Sequence, residues 1–132
     1  MPGLDAINKG ITILVVDDYA LTRDMIRSIL KQLGFQNVFA VEDGKKALER
    51  MNSETIDLII CDWNMPLLSG IDVLRAMRAD EKLKDIPFVM LTAEAYKENV
   101  VEAVKSGVTE YVSKPFTAQV LADKIASALS RK

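Results

Sequence analysis

The chain has 132 residues, the size of one domain and long enough to bury a sizeable core. Its 17 basic and 19 acidic side chains leave a net charge of −2, which excludes the basic footprint of a nucleic-acid binder. It holds no histidine and a single cysteine, Cys61, so imidazole catalysis, imidazole metal ligation and an internal disulfide are excluded. Any metal is therefore expected on oxygen atoms, which favours magnesium, calcium or manganese. No apolar run approaches the ~18 residues of a membrane span. The first ten residues lack the apolar core of a signal peptide. The expectation is a soluble cytoplasmic protein in which residues 1–10 form a tail and residues 11–130 one domain.

The first strand is read from Ile11 to Val16, an apolar β-branched run without strict alternation, as expected of a strand covered on both faces. Leu21, Met25, Ile29 and Leu33 then repeat every four residues, with Ile26 and Leu30 widening the stripe. Gly34 is read as the stop of that helix. A second strand covers Val38 to Val41, and Ala47, Leu48 and Met51 mark the second helix. The third strand covers Ile56 to Cys61. The longest connection, Asp62 to Gly70, carries Pro66 and leads to a helix marked by Ile71, Leu74 and Met77 or Arg78. Phe88 to Leu91 is the fourth strand, and Val100, Val101 and Val104 mark a fourth helix ended by Gly107. Glu110 to Ser113 is the most polar strand and reads as an edge. Val120, Leu121, Ile125, Ala128 and Leu129 mark the last helix. Five strands alternating with five helices imply a doubly wound parallel sheet with helices on both faces. Ligands of such folds sit beyond the carboxyl ends of the strands.

Those ends carry polar residues. The first strand runs into Asp17 and Asp18, the third into Asp62, the fourth into Thr92 and the fifth into Lys114 and Pro115. If the first and third strands are neighbours, three carboxylates converge. Two carboxylates about 4 Å apart repel by about 4 kcal/mol at an effective dielectric of roughly 20. Either a proton or a cation must relieve that repulsion. A hard divalent ion such as Mg2+ suits the set, with Asp18 and Asp62 as direct ligands, Asp17 acting through water and the backbone carbonyl of Asn64 completing the protein's share. Each residue also has a plain alternative: Asp18 as a helix cap, Asp62 and Asn64 as turn formers, Thr92 as a cap, Lys114 as a solvated lysine. It is their joint placement at four strand ends that points to chemistry. Asp62 is then the candidate nucleophile toward a phosphoryl group, with Lys114 pairing its oxygens and the Thr92 hydroxyl hydrogen-bonded to another.

The segments Val15-Val16-Asp17-Asp18, Glu42-Asp43-Gly44, Asp62-Trp63-Asn64-Met65-Pro66, Thr92-Ala93-Glu94-Ala95 and Lys114-Pro115-Phe116-Thr117-Ala118 resemble the receiver domains of two-component response regulators, in particular their chemotaxis branch. The resemblance covers Ile11 to about Ala128. It implies a flavodoxin-like fold with strand order 2-1-3-4-5, phosphorylation at Asp62, an acidic pocket of Asp17 and Asp18, and phosphoryl contacts from Thr92 and Lys114. It further implies an aromatic switch at Tyr111, a cis bond before Pro115, and tuning of acyl-phosphate hydrolysis by Asn64 and Glu94. The implied partners are a chemotaxis-type histidine kinase, a phosphatase and the flagellar motor switch protein. The last would dock on a face carrying Lys97, Val100, Tyr111, Phe116, Thr117 and Lys124. Such a protein is a phosphoacceptor switch rather than an enzyme, and is expected to be a monomer. Tyr19, Asp24, Tyr96 and Ser113 depart from the branch's pattern. Tyr96 and Ser113 fall on or near the docking face, which puts the motor target in doubt and keeps a phosphate sink or relay receiver as an alternative.

Two other classes share parts of this pattern. A flavodoxin-like electron carrier needs a neutral phosphate loop after the first strand, where Asp17-Asp18-Tyr19 stands. An aspartate-nucleophile phosphatase usually spaces its two acids one residue apart, whereas Asp17 and Asp18 are adjacent.

Overall fold

A computed structural model describes residues 7–93 and 97–130, without the side chains of residues 97–99. The described elements alternate strictly: β1 (Thr12–Val16), α1 (Ala20–Gln32), β2 (Asn37–Val41), α2 (Gly44–Ser53), β3 (Leu58–Asp62), α3 (Gly70–Arg78), β4 (Phe88–Thr92), α4 (Lys97–Lys105), β5 (Glu110–Ser113) and α5 (Ala118–Ser130). All strand pairs are parallel, and the order is β2-β1-β3-β4-β5. The doubly wound parallel sheet is the one expected from the alternation, and its strand order is the flavodoxin-like one that the receiver resemblance implies.

The strands owe their runs of apolar residues to burial on both faces. Every position of β3 and β4 is buried. Alternate side chains feed two separate cores. Leu14, Val16, Ile59, Cys61, Phe88 and Met90 pack on the layer that includes α2, α3 and Ala103 of α4. Ile13, Val15, Leu58, Ile60, Val89 and Leu91 pack on the layer of α1 and α5. The edge strands β2 and β5 are less covered, and β5 is an edge as its polarity implies.

Three helices depart from their expected stripes. In α1 the buried residues are Ile26 and Leu30, while Leu21 is 82% exposed and Met25 is also exposed. A strict four-residue spacing drifts about 40° per step around a helix, so a row beginning at Leu21 starts outside the face that Ile26 and Leu30 centre. Among the α4 side chains that are described, only Ala103 is buried, and Val101 and Val104 face outward, Val104 with 62% exposure. Val120 of α5 is likewise exposed, beside a buried row of Leu121, Ile125 and Ala128.

The helix ends are specified locally. Gly34 takes φ +101°, and the N–H groups of Gly34 and Phe35 return to the carbonyls of Lys31 and Leu30, closing α1. Asp43 caps α2 by accepting from the Lys46 N–H at 2.8 Å, and Ser69 with Asp72 forms a capping box on α3. At the amino-terminal edge of the sheet, Arg78 donates to the carbonyls of Lys84, Ile86 and Gly107 at 2.8–3.0 Å. It thereby ties together the connections that enter β4 and β5. Among the described residues, no helix is long and apolar enough to cross a membrane.

Candidate functional site

Strand pairing alone brings the polar strand ends together. β1 lies beside β3, β3 beside β4 and β4 beside β5, so Asp17–Asp18, Asp62, Thr92 and Lys114 share one edge of the sheet. Asp62 and Thr92 are the last residues of their strands and are buried there, whereas Asp18 projects exposed. Asp17, Asp18 and Asp62 each place a carboxylate oxygen so that the three lie within 4.8 Å of one another.

Asp17 is 1% exposed and is gripped from every side. Its N–H donates to the Val41 carbonyl at 3.2 Å, and its own carbonyl accepts from Arg23 Nη1 at 2.8 Å. Oδ1 accepts from the Tyr19 N–H at 2.9 Å, and Oδ2 accepts from Lys114 Nζ at 3.1 Å. With both carboxylate oxygens engaged by the protein, Asp17 suits an indirect part in cation binding better than a direct one. Lys114 Nζ also reaches Asp62 Oδ1 at 2.9 Å, so one ammonium bridges two buried carboxylates. The Lys114 N–H donates to the Thr92 carbonyl at 2.7 Å, and the bond to Pro115 is cis.

One cation does not balance three acids. Burial raises the Asp62 carboxyl above its ordinary value, the Lys114 bond and charge pull it back, and the charges of Asp17 and Asp18 push it up again, for a net upward shift. Burial pulls the Lys114 ammonium down, but the bonds and charges of Asp62 and Asp17 outweigh that and leave it raised. Next door, burial and then the same two acids push the Cys61 thiol well up. The pocket therefore carries surplus negative charge on hard oxygen donors. That donor set fits a small divalent cation held by one or two carboxylates, as magnesium is.

The remaining sequence-derived residues divide around this pocket. Asn64 stands exposed in the loop after Asp62. Tyr111 is half-buried on a small apolar cleft shared with Trp63, Met90, Thr92, Val100 and Ala103. Lys124 Nζ sits over the Tyr111 ring, and Thr117 is exposed at the start of α5. Phe116 is partly packed against the α1/α5 core. Ser113 is exposed on β5. Glu94 and Tyr96, and the side chain of Lys97, lie outside the described residues. Sequence reasoning missed Arg23. Its signal is an arginine in the opening turn of α1, six residues after the acid whose carbonyl it holds.

Comparisons with known proteins agree with this arrangement. Residues 13–126 match the family model described as the response regulator receiver domain. The chemotaxis protein CheY of Pseudomonas aeruginosa is 49% identical over 119 residues, covering 90% of this chain and 96% of that protein. CheY-3 of Vibrio cholerae is 42% identical over 125 residues, covering 95% and 96%. The solved structure of Vibrio cholerae CheY4 superposes with a TM-score of 0.86 at 32% identity, covering 91% of this chain and 99% of that one. The receiver domain of a Pseudomonas aeruginosa sensor histidine kinase, solved with a magnesium ion coordinated in its active site cleft, gives a TM-score of 0.83 at 29% identity, covering 92% and 99%. The matched span runs from β1 into α5 and so includes every strand end of the acidic edge; this chain belongs to the response regulator receiver family, whose members are phosphoacceptor signalling proteins rather than turnover enzymes.

Proposed function

We propose that residues 11–130 form a magnesium-dependent receiver, with residues 1–10 as a tail, in which Asp62 accepts a phosphoryl group from a chemotaxis-type histidine kinase in the cytoplasm. The carrying observation is the meeting of Asp17, Asp18 and Asp62 within 4.8 Å, with Lys114 already seated on Asp62. Asp18, Asp62 and the main-chain carbonyl of Asn64 would hold Mg2+ directly, and Asp17 through water. When bound, the ion offsets the charge of the carboxylates and of the incoming phosphoryl group.

The chain's own residues do the rest. A carboxylate oxygen of Asp62 forms the new O–P bond as the P–N bond of a phosphohistidine breaks and its imidazole leaves. Lys114, positioned between Asp17 and Asp62, follows the new negative charge onto a phosphoryl oxygen. The Thr92 hydroxyl, at the neighbouring strand end, binds another. By the family resemblance, Asn64 and Glu94 tune the lifetime of the acyl phosphate. The added charge of about −2 with three acceptor oxygens biases a two-state equilibrium that the Tyr111 ring reports to the face of α4, β5 and α5. That face, with Lys97, Val100, Tyr111, Phe116, Thr117 and Lys124, binds the flagellar motor switch protein, and the chain acts as a monomer. A second reading, a phosphate sink or relay receiver without motor contact, is favoured by the exposed Ser113 and by Tyr96 at positions that depart from the chemotaxis branch.

The test is phosphorylation by a small acyl phosphate, followed by intact mass. Wild type should gain one phosphoryl group only with magnesium present, and Asp62→Asn should gain none. Labelling of Asp62→Asn at the wild-type rate would refute the assignment. Capture of a motor-switch peptide by the phosphorylated form alone separates the motor reading from the sink.

A further inference from the structure

β5 is an edge strand, and its second face pair is unusual. By strand alternation Glu110 and Val112 face the α5 layer while Tyr111 faces the α4 layer. The Glu110 side chain is only 8% exposed. A carboxylate that deep needs partners. Ser127 of α5 donates to Oε2 at 2.7 Å, and Lys124 Nζ donates to Oε1 at 3.4 Å. Because, among the described residues, no strand covers the outer side of β5, Lys124 can serve both faces of it. The same Nζ lies 5.5 Å from the centroid of the Tyr111 ring. The ammonium is thus fixed from below by a buried acid and attracted from the side by an aromatic face.

We propose that the Glu110–Lys124 pair is a latch on Tyr111: it stabilises the ring position that accompanies the Lys114–Asp62 bridge, and so sets how readily the switch turns. This rests on the reading of Tyr111 as the switch. The latch spans β5 and α5, and Thr92 at the end of β4 lines the cleft that Tyr111 shares, so both bias one ring. A cation at this distance from an exposed-side ring changes a two-state ratio roughly two- to five-fold.

The probe is 3-fluorotyrosine with fluorine NMR, the Tyr111 line being assigned by its loss in Tyr111→Phe. Wild type with magnesium and a small acyl phosphate defines the switched endpoint. Glu110→Gln, which leaves Lys124 and the ring intact, and Lys124→Met should both move the Tyr111 line toward that endpoint without phosphodonor. Lys124→Arg should hold it in place. Both loosened variants should also accept phosphate roughly two- to five-fold faster. A merely structural cover of the sheet edge would change stability without moving the line along that axis. If the wild-type line shifts on phosphorylation but the Lys124→Met and Glu110→Gln lines stay at the wild-type position, the latch is refuted and the switch stands. If the wild-type line does not shift on phosphorylation, the switch reading itself fails, and the latch with it.

Discussion

Replacing Gly70 by alanine would place a methyl carbon 2.3 Å from the main-chain oxygen of Asp62, 2.8 Å from Met90 Sδ and 3.0 Å from the Trp63 Cα. Two of those three atoms are backbone and cannot rotate away. Gly70 also donates its N–H to the Trp63 carbonyl at 2.8 Å, which pins the loop from Asp62 to Gly70 back onto its own start. Relieving the contact requires a shift on the order of 1 Å, and it falls on the peptide that carries the phosphoacceptor. Overpacking of this kind costs roughly 1–3 kcal/mol. For a chain of this length that is a fall in Tm of roughly 3–12 °C. A misplacement of about 1 Å at a reacting group can cost about 100-fold in rate. Thermal unfolding and the rate of magnesium-dependent acyl-phosphate labelling should therefore fall together. Gly44→Ala is the control, because its added carbon meets Val73 Cγ2 at 2.8 Å and Leu68 Cβ at 2.9 Å rather than the Asp62 peptide. It should cost stability while leaving labelling near wild type. A Gly70→Ala protein that melts and labels like wild type would refute the reasoning.

Asp62→Asn should raise stability at neutral pH in the absence of divalent ions. The Asp62 carboxyl is raised in the fold by burial and by Asp17 and Asp18, so its contribution is fully present below the unfolded carboxylate value and is lost as pH rises through the folded one. The gap between variant and wild type should open from acid toward neutral pH in urea titrations, and a gap that closes instead would contradict the assignment. Arg78→Met should destabilise by roughly 2–4 kcal/mol, since it strips charged donors from the carbonyls of Lys84, Ile86 and Gly107 at once. Chemical denaturation gives the value, and a loss below about 0.5 kcal/mol would make the clamp unimportant. Cys61 should resist thiol reagents at neutral pH until the chain unfolds, because it is buried and burial with the neighbouring acids keeps its thiol protonated. Rapid labelling of the native protein would show that the floor of the pocket opens.

The parts of this fold legible in the sequence are those in which local pattern and tertiary environment agree. Strands β1, β3 and β4 are covered on both faces, so their apolar runs stand out, and their polar ends mark the edge where a parallel sheet binds ligands. Asp17, Asp18, Asp62, Thr92 and Lys114 were therefore nameable before any coordinates. The rotation of α1 was not, because Leu21 and Met25 have the same apolar chemistry as Ile26 and Leu30, and only the sheet decides which side is inward. The outward valines of α4 misled for the same reason: the residue that fits against the sheet is the small Ala103. Contacts between distant positions carry no local trace. Nothing near Arg23 says that its guanidinium holds the Asp17 carbonyl, and nothing near Glu110 says that Lys124 and Ser127 will meet it on a helix one loop later. Even Lys114, correctly placed at its strand end, gains its meaning only from the strand order that seats it on Asp17 and Asp62 at once.

Trp63 gives the most direct reading of the pocket, since it follows Asp62, donates its N–H to the Leu91 carbonyl at 2.8 Å and is half-buried beside the Tyr111 cleft. It is the chain's only tryptophan. Its fluorescence should change saturably with millimolar magnesium and change again on adding a small acyl phosphate, the second step vanishing in Asp62→Asn. A wild-type signal that ignores both additions would contradict a site that binds the cation and takes up phosphate.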